Sequence, residues 1–255
     1  MHERIYAVEA LILQRTALGE ADRLLLLATP EGKQRVVAKG CRKTTSRLAG
    51  HLELFTQAHL LLARGRQLDI VTQSQVGQSF PTLRASLPRL SYAYYVAELY
   101  TRATSEADEN LPLFALLLQT FAALDAYQNL DLVLHTYELQ LLNAIGYRPQ
   151  LHQCVVCQTP LTEAAKRFSP QLGGVLCPQD DLADPQALPL SLAAFKVLRL
   201  LQTQPLAQSL RYHLSTPTQK EVARLLQTTL SLILEHDFAS SPFLTSLRQA
   251  PFSQE

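Results

Sequence analysis

Apolar and polar positions along the first 75 or so residues form short runs broken by turn chemistry. From about residue 90 they take up the 3.6-residue period of helices. Tyr6–Gln14 and Asp22–Thr29 read as strands on either side of the turn-like Thr16–Glu20, and Pro30-Glu31-Gly32 is a tight turn into a third strand. In that strand Lys33, Arg35 and Val37 point one way and Gln34, Val36 and Ala38 the other. Phe55–Ala63 and Leu68–Gln75, with Gly65 turning the chain between them, complete a set of five. Five strands with short turns and one long connection predict a small barrel whose core includes Leu24–Leu27 and Leu60–Ala63. The five-stranded OB-fold is the leading candidate.

Beyond Pro81 the pattern is helical. Between Leu90 and Ile145 there is one proline, Pro112, and no glycine. Three helices are expected, at about Ser91–Glu106, Leu111–Tyr127 and Leu132–Ile145, the last ended by Gly146 as its C′ residue. Tyr92, Tyr95 and Leu99 fall at i, i+3 and i+7, a core stripe rather than a base-stacking platform. After a cysteine-bearing insert come Ser191–Leu201 and Pro217–His236, the second opened by Thr216 as N-cap with Gln219 closing a capping box. The fold class expected is α+β: an OB-fold barrel over 1–80, then an all-helical domain in two parts, 81–149 and 186–240. A zinc-knuckle-like insert at 150–185 separates those parts, and 241–255 is a flexible tail.

Charge changes this picture in one place. The net charge is only +1, yet residues 1–80 hold 11 Lys and Arg against 7 Asp and Glu, and the remainder hold 12 against 15. The excess is concentrated in Gly32–Arg47, where Lys33, Arg35, Lys39, Arg42, Lys43 and Arg47 occur with no acidic residue between them. A basic strand feeding a flexible basic loop can follow a run of phosphates, since each neutralised phosphate releases counterions. Arg64 and Arg66, in the next turn, are candidates for the same surface. An apolar content of 47% excludes a disordered chain. No apolar run approaches the roughly 18 residues of a membrane span, and no signal peptide is legible at the N-terminus. With four cysteines, three of them clustered, a disulfide scaffold is not expected, and a reducing cytoplasmic setting is.

Those three cysteines carry the second candidate chemistry. Cys154-Val155-Val156-Cys157 is followed after 19 residues by Cys177-Pro178-Gln179-Asp180. Paired C-x-x-C knuckles at this separation are a tetrahedral zinc signature, and here Asp180 stands where the fourth cysteine belongs. A carboxylate can complete the tetrahedron, with His152 as the other nearby donor. The alternative is a decayed site held by packing alone. Cys41, in the basic loop, reads as a bystander.

Motifs for phosphate cradling, nucleophile elbows, dinucleotide binding and zinc proteolysis are all absent, so a binding module is expected rather than an enzyme. Gly19-Glu20-Ala21-Asp22-Arg23-Leu24, Thr29-Pro30-Glu31-Gly32-Lys33 and Val37-Ala38-Lys39-Gly40, then Leu52-Glu53-Leu54-Phe55 and Arg64-Gly65-Arg66-Gln67-Leu68, together resemble the RecO family of bacterial DNA-repair proteins. The resemblance implies an OB-fold followed by a helical domain with a zinc-knuckle insert. It also implies binding to single- and double-stranded DNA and annealing of complementary strands. The implied partners are RecR, the C-terminal tail of single-stranded-DNA-binding protein (SSB) and, indirectly, RecA. Asp180 departs from the pattern. Two rival readings remain at this point: an RNA-binding OB protein, and a zinc-dependent hydrolase.

Overall fold

The computed structural model describes residues 4–44, 46–106 and 109–234. By packing, the chain divides into two compact units, Met1–Ala93 with Tyr100–Asp125, and Tyr94–Leu99 with Ala126–Glu255. The first therefore reaches past residue 80, where the composition shifts. Much of the helical region up to Asp125 groups with the strands, and the rings of Phe55, Phe80 and Phe121 pack together within that unit. The expected tail, 241–255, and His236 lie outside the described residues.

Strands β1 (Ile5–Leu18), β2 (Asp22–Thr29), β3 (Gly32–Ala38), β4 (Gln57–Ala63) and β5 (Asp69–Gln78) form one closed sheet in the order β1-β2-β3-β5-β4. β1 is longer than its apolar pattern implied, because it serves two partners. Its first half pairs with β4 (Ile5↔Ala63 to Leu11↔Gln57), and its second half pairs with β2 as far as Leu18↔Asp22. A register shift between Ile12 and Gln14 separates the halves and bends the strand. From Leu24 to Leu27 the burial of β2 alternates. Leu25 and Leu27 are fully buried, while Leu24 and Leu26, expected in the core, lie half-buried on the outer face. Val8, Ile12, Val36, Cys41, Leu52, Leu60, Leu62 and Val71 share the interior with them. Each large aliphatic side chain there contributes about 1.5–3 kcal/mol. β3 pairs along its whole length with β2 but with β5 only at Val36↔Asp69 and Val37↔Ile70, in parallel. The first half of β3 thus keeps a free edge, which an isolated bridge between Lys33 and Glu106 occupies.

Helices α1 (Pro81–Ala85), α2 (Leu87–Ala103) and α3 (Leu111–Ala126) follow. α2 starts and stops earlier than the expected Ser91–Glu106, so Glu106 is freed from the helix to bridge β3. Phe55 and Phe80 both hold left-handed backbone, at φ 57° and 48°. This conformation is unfavourable for a non-glycine residue, and ring packing offsets the cost. Phe121 of α3 meets Phe55 at 5.2 Å and Phe80 at 5.9 Å between centroids. Arg84 donates to Leu54 O at 2.9 Å, and Asp125 accepts from Leu83 N at 2.7 Å.

In the second unit, α4 (Leu130–Ala144) is capped by Asn129, which accepts from Leu132 N. It ends as its sequence implied: Gly146, at φ 86°, donates to Asn143 O and Tyr147 donates to Leu142 O, a Schellman closure. α5 (Leu192–Thr203) is capped by Ser191. α7 (Thr216–Ile233) follows the single turn α6 (Leu206–Ser209) and is capped by Ser215 rather than Thr216, which moves Pro217 from the first helical position to the second. The region between α4 and α5 is not helical. It carries a small sheet, in the order β7-β6-β8, of β6 (Arg167–Ser169), β7 (Gly174–Leu176) and β8 (Leu188–Pro189). Arg199 of α5 braces this region, stacking on Phe195 at 4.1 Å and donating to Leu151 O at 2.7 Å.

Candidate nucleic-acid interface and metal centre

The eight basic candidates fall into three groups. Lys39, Arg42, Lys43 and Arg47 lie together on the connection between β3 and β4, and all four are exposed. None makes an ion pair among the described residues. The connection is nonetheless well anchored. Asp22 accepts from Gly40 N at 2.7 Å, where a φ of 63° suits glycine. Arg42 N bonds Ala21 O at 2.9 Å, and the Arg42 guanidinium bonds Gly19 O at 3.0 Å. Leu48 and Leu52 pack into the sheet interior, and Glu53 meets Arg15 at 2.6 Å. Cations are thereby displayed on a loop whose two ends are fixed to the first β-turn and to the core.

Lys33 and Arg35 are differently placed. Lys33 donates its ammonium to Thr101 O, and burial pushes its pKa below the ordinary value, with the Glu106 carboxylate working in the opposite direction. Arg35 is ion-paired with Glu106 at 2.8 Å. Arg64 and Arg66 form the third group. They occupy the turn before β5, and the parallel β3–β5 pairing sets that turn at the end of β3 opposite the basic loop. Arg64 stacks over Tyr6 at 4.8 Å, and Tyr6 donates to Asp69 at 2.5 Å. Burial raises the Tyr6 pKa, as does its bond to Asp69. The charge pattern gave no sign of Glu106 as a partner, since 71 residues separate it from Arg35.

The cysteine candidates do come together. Ligand atoms of Cys154, Cys157, Cys177 and Asp180 all lie within 4.8 Å of one another, so the four could hold a metal ion. Asp180 Oδ2 is 3.2 Å from both Cys154 Sγ and Cys177 Sγ, and Cys157 Sγ is 3.6 Å from Cys177 Sγ. A tetrahedral site with metal–sulfur bonds near 2.3 Å sets sulfurs about 3.8 Å apart, close to the 3.6 Å between Cys157 and Cys177, so the donor set is of a size that suits zinc. β7 delivers Cys177 directly onto the first knuckle, its backbone N–H donating to Cys154 Sγ at 3.4 Å. At Cys154 burial raises the pKa, but amides of Cys177, Cys157 and Val156 outweigh it and leave the thiol below its ordinary value. Desolvation and the neighbouring carboxylate push Cys177 up to about 11. Asp180 is held low by hydrogen bonds from Cys157, Cys177 and Cys154. His152 is not among the four grouped donors; its backbone carbonyl accepts from Leu161 N instead. Cys41 is 1% exposed inside the closed sheet, far from any ligand role.

No helix among the described residues is long and apolar enough to cross a membrane. Two family models match the chain: Recombination protein O N terminal over residues 1–80, and Recombination protein O C terminal over residues 84–242. The DNA repair protein RecO of Roseiflexus sp. (strain RS-1) is 52% identical over 249 residues, covering 98% of this chain and 88% of that protein. Its namesake from Dehalococcoides mccartyi (strain ATCC BAA-2266 / KCTC 15142 / 195) is 37% identical over 247 residues, covering 96% and 97%. That of Desulforudis audaxviator (strain MP104C) is 37% identical over 244 residues, covering 95% and 97%. The family is not one of catalytic enzymes, which sets the zinc-hydrolase reading aside. With both halves matched in order and relatives aligned over nearly the full length, the chain belongs to the recombination protein O (RecO) family.

Proposed function

We propose that this protein is a DNA-repair and recombination mediator that binds single- and double-stranded DNA, anneals complementary strands and, with RecR, helps load RecA onto SSB-coated strands. The observation that carries this reading is the loop of Lys39, Arg42, Lys43 and Arg47: four exposed cations with no acidic partner among the described residues, on a connection anchored at both ends. The closed five-stranded sheet beneath it is an OB-fold in this reading, a scaffold that commonly tracks single strands. Contacts are to backbone phosphates, so binding is independent of base sequence. Neutralising phosphates on two strands lowers their mutual repulsion, and this is how a protein without a catalytic centre speeds annealing. Lys33, Arg35, Arg64 and Arg66 belong to the same basic surface but would engage a longer strand.

In the insert, Cys154, Cys157 and Cys177 as thiolates, with Asp180 as fourth ligand, would hold zinc. The metal would be structural: four protein donors leave no open position for a substrate. Helices α5 and α7 are our choice for the acidic SSB tail. Arg211, in the connection before α7, and Arg224 of α7 are exposed, Arg224 also donating to Pro189 O at 3.2 Å, while Arg199 is tied to the Leu151 carbonyl.

Strand annealing of SSB-coated complementary oligonucleotides, with and without the protein, tests the proposal. Addition of the protein should accelerate annealing. Arg42→Ala combined with Lys43→Ala should slow it and reduce the log–log salt slope of single-strand binding by about 1.4, or 0.7 for each lost phosphate contact. Annealing no faster with the protein than without it would overturn the reading.

A further inference from the structure

We infer that Glu106 is an internal phosphate mimic, an acidic strap on β3 that a DNA phosphate displaces to reach Arg35. The inference deepens the proposed DNA-binding reading and rests on it. The first half of β3 has no strand neighbour on the β5 side, and the segment after α2 fills that edge through the Lys33–Glu106 bridge and a 3.5 Å bond from Lys33 N to Ser105 O. That pairing sets the Glu106 carboxylate against Arg35, with Nη2 at 2.8 Å and Nε at 3.0 Å from the same oxygen. Beside the pair opens a cavity of about 250 Å³, with Leu24 and Leu26 on one wall and Lys33, Arg35, Thr101 and Glu106 around it.

The energetics allow exchange. Both side chains are more than half exposed, at 57% and 59%, and an ion pair in water of this kind is weak. A phosphodiester carries the same single charge as the carboxylate and suits a guanidinium equally well. A strand already held on the Lys39–Arg47 loop would present its next phosphates to β3 at high effective concentration. Without DNA, Glu106 masks Arg35 and lowers the positive potential of β3. With DNA, Arg35 changes partner and the Glu106 carboxylate turns to water. The strap therefore lowers what strands that extend from the loop along β3 gain from Arg35, and strands confined to the loop do not meet it.

Fluorescence anisotropy of a labelled oligothymidine over a salt series tests this in the full chain, comparing the wild type with Glu106→Gln and with Glu163→Gln. Glu163 supplies the control, because it sits in another exposed ion pair, with Lys196 at 2.7 Å, and its substitution changes the charge identically. Glu106→Gln should raise affinity about fivefold, the size of one unit-charge interaction across about 4 Å of water. The log–log salt slope should stay near that of the wild type, because Arg35 reaches the same phosphate in both. Glu163→Gln should leave affinity unchanged. Glu106→Gln binding like the wild type, or both variants gaining equally, would overturn the inference. Failure of the broader reading looks different: there the wild type itself neither binds nor anneals single strands.

Discussion

At the scale of single residues, Asp180 is the position where a small change of chemistry has the largest expected effect. It closes a donor set that otherwise consists of three sulfurs, at 3.2 Å from two of them. A carboxylate is a harder ligand than a thiolate, so it holds zinc less firmly. Asp180→Cys should increase the zinc recovered from protein purified without chelator. It should also raise the melting temperature, by about 2–4 °C for each kcal/mol gained. Because bound ligands must be deprotonated, acid should release the metal, and the Cys variant should lose it over a different pH range. Zinc near zero in both proteins would leave the insert held by packing. The grouping of Cys154, Cys157, Cys177 and Asp180 was legible in the sequence because knuckle spacing is a local property. The partner of Arg35 was not, since a pair spanning 71 residues is set by the path of the chain between them.

Elements were legible to the extent that their signals were local and periodic. The end of α4 at Gly146 was legible from that glycine with Pro149 just beyond it, and α3 begins at the expected Leu111. Short elements escaped: β6, β7 and β8 are two or three residues each, too short for an alternation to register. β1 exceeded its apolar run because its second half pairs with β2 through a largely exposed stretch. The tyrosine stripe on α2 did predict burial, but it gave no hint of the polar triad that Tyr95 completes. Tyr95 donates to Glu138 at 3.1 Å, and the other Glu138 oxygen meets His135 Nδ1 at 3.0 Å, all at 1% exposure or less. Tyr95→Phe leaves that buried carboxylate one donor short, which costs about 1–3 kcal/mol. The urea midpoint should fall with the slope unchanged. An unaltered midpoint would mean that Glu138 is satisfied without the phenol.

For the molecule as a whole, the uneven charge noted in the sequence becomes an uneven surface. The basic loop and β3 belong to the first compact unit, and the cysteine cluster to the second. Composition put a boundary at residue 80, and the two family models also part between residues 80 and 84. Phe80, the last residue of the first match, packs on Phe121 of the second, which also lies against Phe55. That ring cluster means the seam is one of ancestry and not of autonomy. A fragment excised at residue 80 would uncover Phe55 and Phe80 and should bind the dye ANS and melt without a sharp transition. A fragment carried on to Asp125 should melt more cooperatively. Transplanting the first 80 residues onto another protein would then transfer the cations and leave behind the aromatic floor on which their scaffold stands.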